Sequence, residues 1–572
     1  MYIEKVPNRN SPPAILLRES WREGGKVCKR TVANLTHWDP HIVEVLRQVL
    51  KGSKLVPLEV FRIERSLPHG AVEAVLDMLR KIGLEDLLDP RKCRERDLVV
   101  GMIAERLLHP ASKLAVTRNW HTTTLAQELG VEQAGEDELY EALDWLLRRQ
   151  EKIERKLARR HLVEGGRALY DVSSSYYEGS HCPLAKFGYN RDGKKGKPII
   201  VYGVLADERG CPVSVQVYPG NTGDPSTVPD QVEKIRESYG LSRLVLVGDR
   251  GMLTQTQIEK LKEHPGLGWI STLKSSAIRA LVNQGAIQMS LFDETNLAEI
   301  ASPDYPGERL VVCYNPLLAD ERGHKREDLL QSSEDLLERI EQEVLRRRRT
   351  PLSAEKIGLK VGKVLNRYKV GKHFARRIEE GRFEWNRNEE SIREEAGLDG
   401  IYVIRTSQPK EELSPEDAVR DYKKLSQVER AFRCLKGEDL HIRPIFHRTD
   451  PRVRAHIFLC LLAYYVEWHL RRAWAPLLFA DEELEGERAT RDPLRPAEPS
   501  ASARRKKSLR RTEDGLPVHS FRSLLNDLST LSRNTCRFGE HPDTPNLFVL
   551  TDPTPLQSKA LQLLHAYPVR RL

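Results

Sequence analysis

Two short apolar runs each end in a single aspartate: Leu169-Tyr-Asp-Val-Ser-Ser contains Asp171, and Leu244-Val-Leu-Val-Gly-Asp-Arg-Gly contains Asp249. Far downstream, Tyr422, Glu429 and Lys436 recur every seven residues in a stretch of helical pattern. Seven residues are nearly two helical turns, so the three side chains leave one stripe. An aspartate at the end of a strand projects over the sheet edge, where open α/β sheets place their ligands. Carboxylate oxygens hold hard divalent cations, and Mg²⁺ keeps several waters, so two or three carboxylates suffice; Mn²⁺ takes the same donors. Paired ions of this kind activate the attacking oxygen and stabilise the leaving one in phosphoryl transfer. Asp171, Asp249 and Glu429 are therefore the candidate catalytic and metal-binding residues. Tyr422 and Lys436 are candidate DNA contacts, since Lys is a point-charge phosphate ligand and Tyr donates to a phosphate or stacks on a base. The bland alternative is a Tyr packed at a helix base and a solvated Lys.

Basic residues near these acids extend the pattern. Arg250 follows Asp249 directly, and Asn190-Arg-Asp-Gly-Lys-Lys-Gly-Lys, with Lys194, Lys195 and Lys197, lies in a hairpin loop close to Asp171. A site that cuts a polyanion must also hold it, so phosphate contacts are expected there. Arg346–Arg349 and Arg504–Arg511 are two further basic runs, with a solvated face as the competing reading. His441, His447 and His456 show no zinc-ligand spacing.

The elements that would position these groups follow from periodicity. Residues 1 to about 36 read as a β-hairpin around Gly24-Gly25. Residues 40–165 carry apolar residues at helical spacing and read as an all-helical domain, the expected DNA-binding and assembly module. From 166 to 275 the period shortens, and three neighbouring strands, a helix, a strand, a helix and a strand predict a mixed α/β sheet. Residues 276–398 interrupt it as an insertion domain, and 399–475 complete the core with a strand and two long helices. Ser414-Pro-Glu-Asp is a helix start, with Ser as cap, Pro in the first turn and acids behind it. That helix is expected to run unbroken to Lys436. Residues 476–512, acidic, then proline-containing, then basic, read as a mobile linker, and 513–572 as a small appended α/β piece.

Here the residues resemble a family. Asp171 in Tyr-Asp-Val-Ser-Ser-Ser-Tyr-Tyr-Glu-Gly, Asp249 in Gly-Asp-Arg-Gly-Met-Leu, and Tyr422-x2-Leu425-x3-Glu429-x6-Lys436 are similar to the motifs of bacterial insertion-sequence DDE transposases. The third motif resembles the Tyr-x2-Arg-x3-Glu-x6-Lys signature of the insertion-sequence-four superfamily. Tyr218-Pro-Gly-Asn-Thr-Gly-Asp-Pro-Ser-Thr resembles the block that precedes the second Asp. The resemblance implies an RNase H-like α/β core with Asp171, Asp249 and Glu429 as a Mg²⁺-binding triad. It also implies a transposase that binds the inverted repeats of its element, cleaves them and joins the 3′-hydroxyls to target DNA, as a homodimer on double-stranded DNA. One departure is plain: Leu425 stands where the family has Arg. Arg433, one turn beyond Glu429, is the candidate replacement. A nuclease of the same fold and a catalytically inactive DNA-binding descendant are the alternatives.

Composition agrees. The 572 residues are 39% hydrophobic and 31% charged, with 92 basic against 83 acidic residues and a net charge of +9. That describes a globular chain of several domains whose charge placement matters more than its total. The eight cysteines are scattered without a CxxC pair, which fits a reducing cytosol and neither a disulfide framework nor a zinc ribbon. The amino terminus lacks the apolar core of a signal peptide. The longest apolar run, Ile457–Val466, is too short to span a bilayer and reads as a core helix. A cytoplasmic, nucleoid-associated protein is expected. Paired carboxylates also serve glycosidases, but the basic loops and only 8 Trp argue against sugar binding.

Overall fold

The structure, a computed structural model, describes residues 1–9, 11–53, 61–292, 295–437, 439–495, 497–538 and 546–568. It contains two compact units, Met1–Leu67 with Leu531–Asp552, and Pro68–Thr530 with Pro553–Leu572. In the first unit, β1 (Tyr2–Val6), β2 (Ala14–Glu23) and β3 (Lys26–Asn34) form an antiparallel sheet. The expected hairpin is thus the larger part of a three-stranded sheet. A helix, Pro40–Leu50, follows, capped by the Asp39 side chain on the His41 N–H. β4 (Phe61–Pro68) is a strand, so residues 40–165 are not wholly helical.

The second unit is built on an eight-stranded mixed sheet. Its strands are β5 (Arg167–Tyr176), β6 (Ile199–Asp207), β7 (Pro212–Pro219), β8 (Leu244–Val247), β9 (Leu267–Thr272), β10 (Leu297–Ile300), β11 (Arg309–Tyr314) and β14 (Ile401–Thr406), in the order β10-β11-β14-β9-β8-β5-β6-β7. β5, β6 and β7 are antiparallel neighbours, while β5, β8 and β9 run parallel. Every residue of β6 is buried, as its near-continuous apolar run requires of a strand covered on both faces. β10 and β11 come from the segment expected to be an insertion and instead extend the sheet. In β11, Leu310 and Val312 pack into one apolar cluster and Val311 and Cys313 into another, the two-residue alternation of a strand between two layers.

The inserted body proper begins later than expected, with the helix Pro316–Arg346. Leu330, Leu337, Ile340 and Val344 of that helix meet Ile357, Val361 and Leu365 of the helix Ala354–Tyr368. Phe374 of β12 (Phe374–Glu379) and Phe383 of β13 (Arg382–Arg387) close this separate core.

The helices between Gly70 and His161 do not form a domain of their own. They share one continuous apolar core with the sheet. At its centre lies the helix Asp450–Ala473, which packs against β7 and the helices Arg94–Leu108 and Glu136–Leu147. Its run Ile457–Val466 is buried throughout, and no helix among the described residues is long and apolar enough to cross a membrane. Residues 476–512 are not a free linker. They carry the helices Leu484–Thr490 and Ala501–Leu509. Lys506 donates to the carbonyls of Ala475, Leu478 and Ala480, and Ser500 bonds Asp481. Polar side chains thus tie down a segment too polar to bury a core. The C-terminal piece is divided: β15 (Ser532–Phe538) and β16 (Leu547–Leu550) pair in a sheet with β4, whereas the helices Phe521–Leu528 and Pro555–Ala566 join the large core.

One buried ion pair holds the outer strands together. Arg405 of β14 donates to both oxygens of Glu308, at 2.7 and 2.6 Å, and the Glu308 side chain is 0% exposed. Arg405→Ala leaves that carboxylate buried without its partner, and the expected cost is about 3–5 kcal/mol, read as a lower urea midpoint with unchanged slope for the large unit.

Candidate active site

Local register brings the two aspartates together. Leu169 of β5 pairs with Val247 of β8 in the parallel ladder. Asp171 thus stands on β5 two residues beyond Leu169, and Asp249 two residues beyond Val247, just past the end of β8. Asp171 is not at the end of its own strand, because β5 continues to Tyr176 beside β6. It lies instead where the parallel neighbour β8 stops. Backbone N–H groups orient both carboxylates: Val172 donates to Asp171 Oδ1 at 2.8 Å, and Gly251 and Met252 donate to Asp249 Oδ1 at 3.0 and 2.8 Å. One oxygen of each is thereby fixed and the other remains to face a ligand.

Glu429 arrives on the helix Ser426–Lys436, whose buried face is Val428, Ala431, Phe432 and Leu435. Phe432 meets Tyr202 of β6 edge-on, with ring centroids 5.9 Å apart. Burying that face leaves Glu429, Arg433 and Lys436 on the open side. The expected single helix is two, Pro415–Lys423 and Ser426–Lys436. Between them the bonds tighten to the third residue back, from the Leu425 N–H to the Tyr422 carbonyl and from Val428 to Leu425. Asp421, just before the break, pairs with Arg167 at the start of β5, and Lys424 pairs with Asp421 and with Glu208 at the β6–β7 turn. These ion pairs dock the junction on the strand that carries Asp171.

The three carboxylates act on one another. Burial pushes the Asp171 carboxyl up to about 7, and the charges of Asp249 and Glu429 add to the rise, against the Val172 N–H and Arg191. Tyr422 also faces Asp249, Arg250 and Glu429; burial raises its phenol, and its hydroxyl accepts from Thr272 Oγ1 at 3.2 Å. A site with this much convergent negative charge fits a divalent cation held by oxygen.

The remaining sequence candidates separate into three groups. Lys436 is committed: Nζ lies 3.2 Å from Asp192, whose side chain is 1% exposed, and Arg443 joins the same carboxylate. Asp192 also accepts from the Tyr176 N–H at 3.0 Å, so Lys436 anchors the basic loop to β5. Lys194, Lys195 and Lys197 are exposed on that loop, with Lys197 3.5 Å from Glu178 and Lys194 above the Tyr176 ring. The loop backbone is fixed at Gly188, where a Cβ would fall 2.0 Å from the Gly220 carbonyl oxygen. Arg250 and Arg433 are exposed. Leu425 is buried in the apolar core, so its side chain is not available to DNA.

Sequence reasoning missed a basic cleft of about 710 Å³ that opens from Asp249 and Tyr422 toward the inserted body. Arg250, Arg279, Arg322, Lys325, Lys369 and Lys372 line it. Arg250 alone among them is a sequence candidate; the others are scattered along the chain, and the only signal for them is the high charge of the segment expected to be an insertion.

A carboxyl whose folded pKa of about 7 lies above its ordinary 3.8 makes the folded state progressively less stable as pH rises through that interval. Asp171→Asn removes that liability. In metal-free buffer at pH 8 it is expected to raise unfolding stability on the order of 2 kcal/mol and to flatten the loss between pH 4 and 7, measured by urea denaturation at several pH values.

Comparison with known proteins places this geometry. The transposase DDE domain family matches residues 169–466, more than half of the chain, spanning all three acids. The N-terminal domain of IS1634 family transposases matches residues 3–56. No curated protein matches. Among solved structures, the cryo-EM structure of a piggyBac transposase synaptic complex with hairpin DNA overlaps 80% of this chain and 77% of that one, at 10% identity and a TM-score of 0.32. On the family matches, which take in both the amino-terminal region and the sheet with its acids, the chain belongs to the DDE transposases of bacterial insertion sequences.

Proposed function

We propose that this transposase binds the terminal inverted repeats of its own element, cleaves them and joins the freed 3′-hydroxyls to target DNA, with Asp171, Asp249 and Glu429 holding Mg²⁺ or Mn²⁺. The observation that supports this most is the Asp171 carboxyl, raised by burial and by the charges of Asp249 and Glu429, with Asp249 at the head of a basic cleft. The metal, when bound, activates the attacking oxygen and stabilises the leaving one. The protein's own part is positional. The Gly251 and Met252 N–H groups orient Asp249, the amphipathic helix presents Glu429, and the cleft cations hold the DNA backbone. In each step one phosphorus–oxygen bond forms as another breaks, so no covalent protein intermediate is required. The core reads as RNase H-like: three antiparallel strands followed by two parallel to the first, with Asp171 on β5 and Asp249 just past the end of its parallel neighbour β8. An element has two ends and each chain carries one such site, so a homodimer on DNA is the natural machine.

Asp249→Ala is expected to abolish Mg²⁺-dependent cleavage of inverted-repeat DNA while leaving end binding within a few-fold; retained cleavage refutes the assignment. A wild-type protein that yields hydrolysed ends but no joined product is a nuclease instead. Replacing Lys194, Lys195 and Lys197 together by Ala is expected to weaken end binding and to reduce the slope of log affinity against log salt by up to about 3. An unchanged slope removes that loop from the interface.

A further inference from the structure

We propose that His161, Cys211 and His469 form a second metal site, for a Zn²⁺-class divalent ion, distinct from the carboxylate site. The three come from the end of the helix Gln150–His161, the turn between β6 and β7, and the long central helix Asp450–Ala473. One ligand atom from each lies within 4.8 Å of the others. His161 Nε2 is 3.8 Å from Cys211 Sγ. Ligands at Zn–S and Zn–N lengths of about 2.3 and 2.05 Å in a tetrahedron stand about 3.6 Å apart, so only small adjustments close the site.

The surroundings are those of metal ligands. His469 Nδ1 is 3.1 Å from the Tyr567 hydroxyl, which leaves Nε2, a buried nitrogen without a hydrogen-bond partner. An orphaned buried nitrogen is costly unless something binds it. His161 Nε2 also lies 3.0 Å from the Tyr465 hydroxyl, a contact the ion would have to displace, and on the other side of the ring Nδ1 meets Arg209 Nη2 at 3.4 Å and the Asp207 carboxylate at 3.8 Å. Thiolate ligation by Cys211 would release the thiol proton on binding. Arg160, Arg209 and Arg472 are nearby cations that oppose an ion; Arg209 is neutralised by Asp207 and Arg472 pairs with Glu485. Mixed nitrogen and thiolate donors favour Zn²⁺ over Mg²⁺, which prefers oxygen. An ion here would tie three distant chain segments together beneath the C-terminal helix that ends beside Tyr567.

Co²⁺ titration of the metal-free, full-length protein tests this. About one equivalent is expected to develop thiolate-to-cobalt charge-transfer absorption with tetrahedral ligand-field bands, both displaced by Zn²⁺; oxygen-only binding at the carboxylates gives no thiolate band. Cys211→Ser is expected to abolish that band, His469→Gln to weaken binding tenfold or more, and Cys434→Ser to change neither. Absence of the band in the wild type, or its survival in Cys211→Ser, overturns the proposal. If Cys211→Ser does not fold, the wild-type titration and unweakened binding by His469→Gln can each still overturn it. Cleavage of inverted-repeat DNA is a separate readout, so failure here leaves the carboxylate assignment standing.

Discussion

Crowding of three carboxylates around the half-buried Asp171 is the constraint around which the candidate site is arranged. Asp171 is half-buried beside the parallel strand β8, whose end leads to Asp249, and it feels the charges of Asp249 and of Glu429 from a helix far along the chain. Such a cluster destabilises the fold that makes it and persists only where surrounding structure over-determines it. Here the over-determination is visible. Backbone N–H groups fix one oxygen of each aspartate, and the apolar face of the helix Ser426–Lys436 holds Glu429 in place. The ion pairs of Asp421 with Arg167 and of Lys424 with Glu208 dock the helix junction on the sheet. The cluster also explains why the cations near the site are not merely for solubility. Arg191, which opposes the rise at Asp171, is itself held by both oxygens of Asp224 at 2.5 and 2.6 Å.

A rigid platform for that cluster comes from one core rather than several. The helices between Gly70 and His161, the central helix Asp450–Ala473 and the two C-terminal helices bury their apolar faces against the same sheet. Among the described residues of this unit, only the inserted body, with Leu330, Leu337 and Phe374 among its members, has an apolar cluster of its own beyond those on the sheet itself. The three candidate acids therefore stand on elements with few ways to shift independently. The basic cleft lies between that platform and a body packed separately from it.

Charge is likewise a matter of placement. A net charge of +9 on 572 residues is weak, and the two obvious basic runs do not line the cleft. Within Arg504–Arg511, Lys506 is a staple, bonded to three backbone carbonyls. The cleft cations are instead scattered singletons from Arg250 to Lys372. A groove formed from separate elements can focus a field on a polyanion that no local sequence average reveals.

The sequence by itself determined what is local. An apolar run ending in Asp, a cap at Ser414, the apolar strand run that becomes β11 and the amphipathic stripe behind Glu429 are each written in a few neighbouring residues, and each is present in the folded chain. Periodicity also identified Ile457–Val466 as core. Tertiary structure decided what depends on partners distant in the chain. The seven-residue stripe is broken after Tyr422 because its junction is clamped to β5 and β6; Lys436 is spent on Asp192; and the strands β10 and β11 leave the insertion to extend the sheet. The helices expected as a separate domain instead fill the common core, and the expected linker is pinned by carbonyls it cannot sense locally. The meeting of His161, Cys211 and His469 has no spacing to read, because three separate elements supply one ligand each. Side-chain pattern specifies an element and its buried face; which charged or liganding groups then face one another is settled only when those faces pack.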